Sequence, residues 1–141
     1  MILLEPAKHL LFHGVIILLF ALIAGFPYAK SILKKEADNI IFAWRVAHAA
    51  LTMGGMLLML VAVILTFINM SVTLMWVISL LFITSGYAFL LALYLSPISG
   101  HRGLIYRGNF SAKLVYLSNT LGAITSFIGT VLLLYAIWKI L

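Results

Sequence analysis

The stretch that decides the fold is FAWRVAHAALTMGGMLLMLVAVILTFI, residues 42–68. From Val46 onward it contains no charged side chain, and it exceeds the roughly 20 apolar residues that a helix needs to cross a bilayer. A tryptophan, an arginine and a histidine stand at its start, and two adjacent glycines follow. The stretch therefore predicts a membrane-spanning helix that carries a titratable imidazole about one turn inside its entry.

The composition of the whole chain agrees with this prediction. Of its 141 residues, 65% are hydrophobic and 9% are charged, whereas soluble domains are about half apolar and a quarter charged. The absence of cysteine excludes a disulfide, a thiolate metal site and a covalently attached c-type haem. The net charge of +6 lies on no soluble domain, so we expect it to set membrane topology and not to bind nucleic acid.

Four apolar stretches are long enough to span a bilayer, at about 8–29, 46–68, 73–95 and 114–138. Backbone groups in lipid must be hydrogen-bonded internally, so these spans must be helical. The link between the second and third spans, at 69–71, is tight, and a long loop follows the third span. The sequence thus predicts an all-α, integral membrane four-helix up-down bundle that forms a single transmembrane domain over residues 1–141.

The basic residues predict an orientation in the membrane. The segments 30–45 and 96–113 should face the cytoplasm because positive charge accumulates there, and both termini should face the other side, as in a bacterial inner membrane. Only Lys8 and Lys139 lie on that other side. The cytoplasmic cations would be Lys30, Lys34, Lys35, Arg45, Arg102, Arg107 and Lys113.

Small and polar side chains indicate how the helices associate. In the fourth span, Ser118, Gly122, Ser126 and Thr130 recur at every fourth position, with Asn119, Thr125 and Gly129 beside them. This pattern is typical of close helix–helix contact in membranes. The alternative is that this stripe lines a cofactor. In the third span, Tyr87 and Tyr94 share one face, and both hydroxyls need partners if they are buried.

His48 is the principal candidate for a functional residue, because ionisable groups inside spans are costly and usually functional. Gly54 and Gly55 would leave room for a flat ligand, and Arg45 and Arg102 would supply cations at the same depth. This pattern suits haem b, with a neutral imidazole on the iron and propionates on the arginines. The alternative is an interfacial histidine that bonds to a neighbouring helix. The residues expected to hold the cofactor are His48, Arg45, Trp44, Gly54, Gly55 and Arg102.

The other histidines form weaker patterns. His9 and His13 lie one turn apart and could chelate a metal, but no third ligand follows at a useful position. His13 could serve as a second axial ligand only if the helices were strongly offset, and His101 falls in a loop. The acidic residues Glu5, Glu36 and Asp38 are all peripheral, so no nucleophile–histidine–acid set is available inside the membrane.

Two patches of the chain resemble the styrene oxide isomerases. One contains Trp44, Arg45 and His48 at the start of the second span, and the other is GYAFLLALYLSPISGHRGL at 86–104. The FHG of the first span and the small residues of the last one are similar to that family as well. The likeness extends over nearly the whole chain in span number and loop placement.

The resemblance implies a small four-span haem b protein that assembles as a homotrimer, with haem between subunits and His48 as the iron ligand. Ferric iron would act as a Lewis acid on the oxygen of a hydrophobic epoxide that enters from the lipid. The ring would open, a hydride would migrate and an aldehyde would form without redox turnover. Tyr94 or Tyr87 would orient the epoxide oxygen.

The chain departs from the family at two positions. The family's asparagine after the ligand histidine corresponds to Gly54, and its tyrosine near the end of the third span falls on Leu93. Tyr94 is one residue away, which turns a side chain by about 100° on a helix. A second hypothesis therefore stays open, namely a non-catalytic haem-binding or electron-transfer protein, or an accessory subunit of a larger membrane complex.

Overall fold

The computed structural model describes residues 4–106 and 108–140, and within them the chain forms helices and no strands. The helices are α1 (Glu5–Leu33), α2 (Asp38–Leu65), α3 (Val72–Ser99) and α4 (Phe110–Trp138). All four are long and apolar enough to cross a membrane. The predicted all-α, integral membrane four-helix fold is confirmed.

The ends of the helices follow local sequence signals. The Ser71 hydroxyl and the Asn109 amide oxygen cap α3 and α4 by accepting from the backbone N–H three residues on. Gly100 ends α3 in the left-handed conformation, with φ of 71°. Helix α2 begins at Asp38 and ends at Leu65, a shift toward the N-terminus relative to the expected span at about 46–68. His48 consequently lies within a well-formed helix and not at its first turn.

Helices α1 and α2 cross closely because each carries a glycine at the contact. A Cβ atom on Gly55 would lie 2.8 Å from the Leu18 backbone nitrogen and 2.9 Å from the Gly14 carbonyl oxygen. A Cβ atom on Gly14 would lie 3.1 Å from the Gly55 oxygen. Lipid tails supply no hydrophobic force between helices, so such close backbone packing stabilises their association.

Helices α3 and α4 pack by placing aromatic rings over glycines. The Phe89 ring lies over Gly122, where an added Cβ would be 3.1 Å from its atoms, and Phe82 lies over Gly129 at 3.2 Å. The Ser85 hydroxyl donates to the Gly122 carbonyl oxygen at 2.9 Å. The two helices are thus joined by ring–glycine contacts and a buried interhelical hydrogen bond.

The contact face of α4 differs from the expected stripe. Ser118 and Gly122 are buried as predicted, but the seam continues through Thr125 and Gly129, whereas Thr130 is exposed. A helix has 3.6 residues per turn, so a strict spacing of four drifts by about 40° at every step. A contact face that stays on one side of the helix must therefore include spacings of three residues as well as four, as between Gly122 and Thr125.

Helix α4 stands apart from the first two helices. Over the residues that the structure describes, helix contacts join α1 to α2, α2 to α3, α1 to α3 and α3 to α4, and no Cα atom of α4 lies within 8 Å of one in α1 or α2. A groove consequently opens between α2 and α4, with α3 as its floor.

Candidate functional site

His48 is fixed against α1 by one of its two ring nitrogens. Its Nδ1 lies 2.8 Å from the Ala21 carbonyl oxygen, which is the bond to a neighbouring helix that the alternative interpretation of His48 predicts. Because a carbonyl oxygen can only accept, Nδ1 must carry the proton, and the neutral ring then has a free lone pair on Nε2. The half-buried ring packs on Gly25, whose added Cβ would lie 3.5 Å from Nδ1 and Cε1. Metal-binding histidines typically donate their second nitrogen to a carbonyl in this way.

Tyr94 bonds to α1 as well, at the peptide next to the one that binds His48. Its hydroxyl donates to the Phe20 carbonyl oxygen at 2.5 Å, next to the carbonyl that accepts from His48. The Trp44 ring meets the Tyr94 ring edge-on, with centroids 5.8 Å apart at 89°. Two consecutive carbonyls of α1 therefore bind His48 of α2 and Tyr94 of α3. Trp44 and Tyr94 both lie on the His48 side of the bundle.

Tyr87 belongs to a separate cluster nearer the other end of α1. Its hydroxyl lies 2.8 Å from His13 Nδ1, and the two rings meet edge-on at 5.5 Å. His13 precedes Ala21 by eight residues, or about 12 Å of helix. The structure thus separates Tyr87 from the neighbourhood of His48, although the sequence placed both tyrosines on one face.

Arg45 and Arg102 converge although they are far apart in the chain. Their guanidinium carbons lie 4.9 and 5.0 Å from the centre of the Phe42 ring, beside an open cavity that also includes Asp38. Within residues 4–106 and 108–140, the one ion pair joins Lys8 to Glu5, so neither arginine is paired with a carboxylate. The role of these two arginines as anion-binding residues stays a prediction.

The two glycines expected to make room for a ligand face different ways. The space beside Gly55 is filled by the backbone of α1, so this residue makes room for a helix, which corrects the role expected for it. An added Cβ on Gly54 would meet nothing within 4 Å. Of these two glycines, only Gly54 borders open space.

That open space is the groove between α2 and α4, with a volume of about 370 Å³. This falls within the usual range of ligand pockets. Its lining is mostly apolar and comes from all four helices: Ile17, Ala50, Leu51, Gly54, Leu57, Leu58, Phe82, Ser85, Gly86, Phe89, Leu93, Asn119 and Ser126. Both positions at which the chain departs from the family resemblance, Gly54 and Leu93, therefore border the same cavity.

The groove and His48 lie on different flanks of α2. At 100° per residue, Gly54 points about 120° away from His48 and Ala50 about 160° away. Ala50 is only two residues further along the helix, so the groove extends to nearly the same depth as His48. One chain thus presents an imidazole on one side and an apolar cavity on the other.

Asn119 is the groove residue whose role the sequence did not indicate. The sequence indicates it only as a neighbour of the small-residue stripe, whereas the structure places it in the groove opposite α2. An amide inside a membrane span is itself a signal of function, and this signal was available from the sequence.

No cluster of three or more His, Cys, Asp or Glu side chains that could hold a metal ion occurs among the described residues. Haem iron does not require such a cluster, because the porphyrin supplies four ligands and one imidazole can supply the fifth. His48 is hence sufficient as a protein ligand for haem, but not for a free ion.

Comparison with known proteins supports the sequence resemblance. A search among curated proteins found no match. The family model described as styrene oxide isomerase matches residues 6–138, which is nearly the whole chain. The chain belongs to the styrene oxide isomerase family.

Proposed function

We propose that this protein is a haem b-dependent membrane isomerase that converts a small hydrophobic epoxide to an aldehyde. The observation that carries the proposal is the bond from His48 Nδ1 to the Ala21 carbonyl, since it leaves Nε2 free as an iron ligand. Family membership supplies the reaction class, and the apolar groove suits a substrate that partitions into lipid.

The described residues fit a haem group. His48 Nε2 would bind the iron, and the Ala21 carbonyl would fix the orientation of the ring. Arg45 and Arg102, which have no carboxylate partner within the described chain, would receive the propionates. When bound, haem would supply a Lewis acid for the epoxide oxygen.

The groove would protect the rearrangement from water. Opening an epoxide at a benzylic carbon creates a cation, which water would capture to give a diol. The apolar walls around Leu57, Phe82 and Phe89 exclude water from that carbon. The cation can then accept a hydride from the adjacent carbon, giving an aldehyde with no external oxidant, reductant or water.

We further propose that the complete site forms between subunits. A membrane protein with cyclic symmetry about the membrane normal keeps every residue at the same depth in each subunit. His48 and the groove lie at similar depths on different flanks of α2, so head-to-tail association can bring the His48 flank of one subunit to the groove of the next. A homotrimer would contain three such sites, each open to substrate from the lipid.

The electron-transfer alternative gains no support from the geometry. It would need a second axial ligand, and the candidate for it was His13. In the structure, His13 bonds to Tyr87, about 12 Å along α1 from the carbonyl that holds His48. The two imidazoles are thus held by different partners in different parts of the bundle.

An absorption spectrum of detergent-purified protein, expressed with ample haem, tests the proposal. We expect a Soret band that His48→Ala abolishes and the loop variant His101→Ala preserves, together with conversion of styrene oxide to an aldehyde by the oxidised protein. A colourless wild-type protein, or a Soret band that survives His48→Ala, would refute the haem site. A normal spectrum without epoxide conversion would retain the haem and reject the isomerase.

A further inference from the structure

The groove contains few polar side chains, and two of them are already committed. Three polar residues line it, namely Ser85, Asn119 and Ser126. The Ser85 hydroxyl donates across to the Gly122 carbonyl at 2.9 Å. The Ser126 hydroxyl donates to the Ala123 carbonyl at 3.0 Å. Neither hydroxyl proton is left for a ligand in the cavity.

Asn119 differs because most of its hydrogen-bonding capacity is unused. Its Nδ2 donates one long bond, of 3.4 Å, to the Arg102 carbonyl oxygen. An amide offers two N–H donors and one oxygen acceptor. The second N–H and Oδ1 have no partner in the part of the chain that the structure describes. Asn119 is thus the one groove side chain, among those described, with a free donor.

The loop between α3 and α4 holds this amide in place. Gly103 has a φ of 67°, and a Cβ atom on it would lie 2.8 Å from Asn119 Nδ2 and 2.6 Å from Val115 Cγ1. Only a glycine allows the loop to approach α4 so closely. The amide is therefore confined between this loop and the groove, and ordering it on ligand binding costs little.

We infer that Asn119 is the residue that orients the substrate oxygen in the groove. The ligand class it suits is a small apolar molecule that carries one hydrogen-bond-accepting oxygen. Gly54 of α2 borders the same cavity and contributes no side chain to it, so the free amide donor comes from α4. The identity of the reaction rests on the function proposed above, whereas the binding role rests on the groove alone.

The amide would act as a neutral hydrogen-bond donor without transferring an atom. Its free N–H would bond to the substrate oxygen, and this bond would strengthen as the C–O bond breaks and the oxygen gains negative charge. Asn119 should consequently contribute both to affinity for the oxygenated ligand and to the rate of ring opening.

The test compares styrene oxide with styrene, which has the same ring and two-carbon chain but no oxygen. Binding is measured by ligand-induced stabilisation of the purified protein, which requires neither haem nor turnover. In Asn119→Leu we expect about fivefold weaker binding of styrene oxide, the usual effect of losing one neutral hydrogen bond. Binding of styrene should be unchanged, and Thr120→Ala, whose hydroxyl bonds only to the Tyr116 carbonyl, should match the wild type for both ligands.

Two further variants keep the test decisive. Asn119→Ala should give the same selective loss if Asn119→Leu disturbs the loop. Adding Gly54→Asn to Asn119→Leu should restore preference for the epoxide, because the space beside Gly54 is open. Equal losses for both ligands, or unchanged binding of styrene oxide, would overturn the role of Asn119.

Failure of this inference is distinguishable from failure of the proposed function. If the wild type lacks a Soret band or does not convert the epoxide, the proposed function fails, while the comparison of the two ligands still tests Asn119. If the wild type is coloured and active but Asn119→Leu keeps its selectivity and turnover, only the present inference fails.

Discussion

Replacing Gly55 by alanine is expected to push α1 and α2 apart, while the same change at Gly54 should leave the structure intact. The new Cβ at 55 would meet backbone atoms of Leu18 and Gly14 at 2.8 and 2.9 Å, and neither can rotate away. At Gly54 the added methyl group would meet no atom within 4 Å. The adjacent residue is therefore a matched control for helix propensity and hydrophobicity.

The size of the effect follows from these distances. Ordinary contact begins at 3.4 Å, so the helices must separate by about 0.6 Å (3.4 minus 2.8) at the crossing. Overpacking of this kind typically costs about 1–3 kcal/mol. If the helices move as rigid bodies, the 2.8 Å bond from His48 to Ala21 stretches to about 3.4 Å, near the limit of a hydrogen bond. Gly55→Ala should then lose stability and also hold haem less firmly.

Thermal unfolding of the two variants in detergent, together with the Soret absorbance retained on washing, provides the measurement. We expect Gly55→Ala to unfold several degrees below the wild type and to lose haem faster, with Gly54→Ala unchanged in both respects. The reasoning would be refuted by a Gly55→Ala protein as stable as the wild type. It would equally be refuted by a Gly54→Ala protein destabilised to the same extent.

Three further outcomes are expected. Tyr94→Phe should cost about 1 kcal/mol of stability, the usual value of one hydrogen bond. The KM for the epoxide should be unchanged, because the Tyr94 hydroxyl bonds to the Phe20 carbonyl of α1. A changed KM with full stability would place Tyr94 at the substrate. Arg45→Gln and Arg102→Gln should each speed haem loss to an acceptor protein by about fivefold, roughly 1 kcal/mol for an exposed charge pair, with unchanged folding. Since the chain has no cysteine, a membrane-impermeant maleimide should label Lys35→Cys only from the cytoplasmic side and Lys139→Cys only from the other, and the reverse would invert the proposed topology.

The sequence predicted the helices well because the bilayer constrains them so strongly. Length and apolarity are sufficient to indicate a spanning helix, and short connections make neighbours antiparallel. What sequence could not supply was the rotation of each helix about its axis. Gly54 and Gly55 are neighbours and chemically identical, yet one borders the groove and the other is buried on α1. That difference depends on which helix packs on which face.

The candidate site likewise depends partly on local sequence and partly on how the helices pack together. His48 was singled out because an imidazole is costly in a span, but its carbonyl partner lies in another helix and leaves no trace in the local pattern. Tyr87 and Tyr94 share a face seven residues apart, and that face runs past two separate regions of α1. Their hydroxyls consequently bond to partners far from each other, at His13 and at Phe20.

The separation of His48 from the groove makes assembly testable by mixing two inactive proteins. His48→Ala lacks the iron ligand but keeps its groove, and Gly54→Leu keeps the histidine but fills the groove. If each site combines the histidine of one subunit with the groove of its neighbour, co-expression in equal amounts should restore roughly a quarter of the sites, because each partner is present with probability one half. If histidine and groove act within one chain, no mixed site is functional and activity stays at background. Recovered activity in oligomers isolated through two different affinity tags would establish a shared site, and background activity in the same oligomers would refute it.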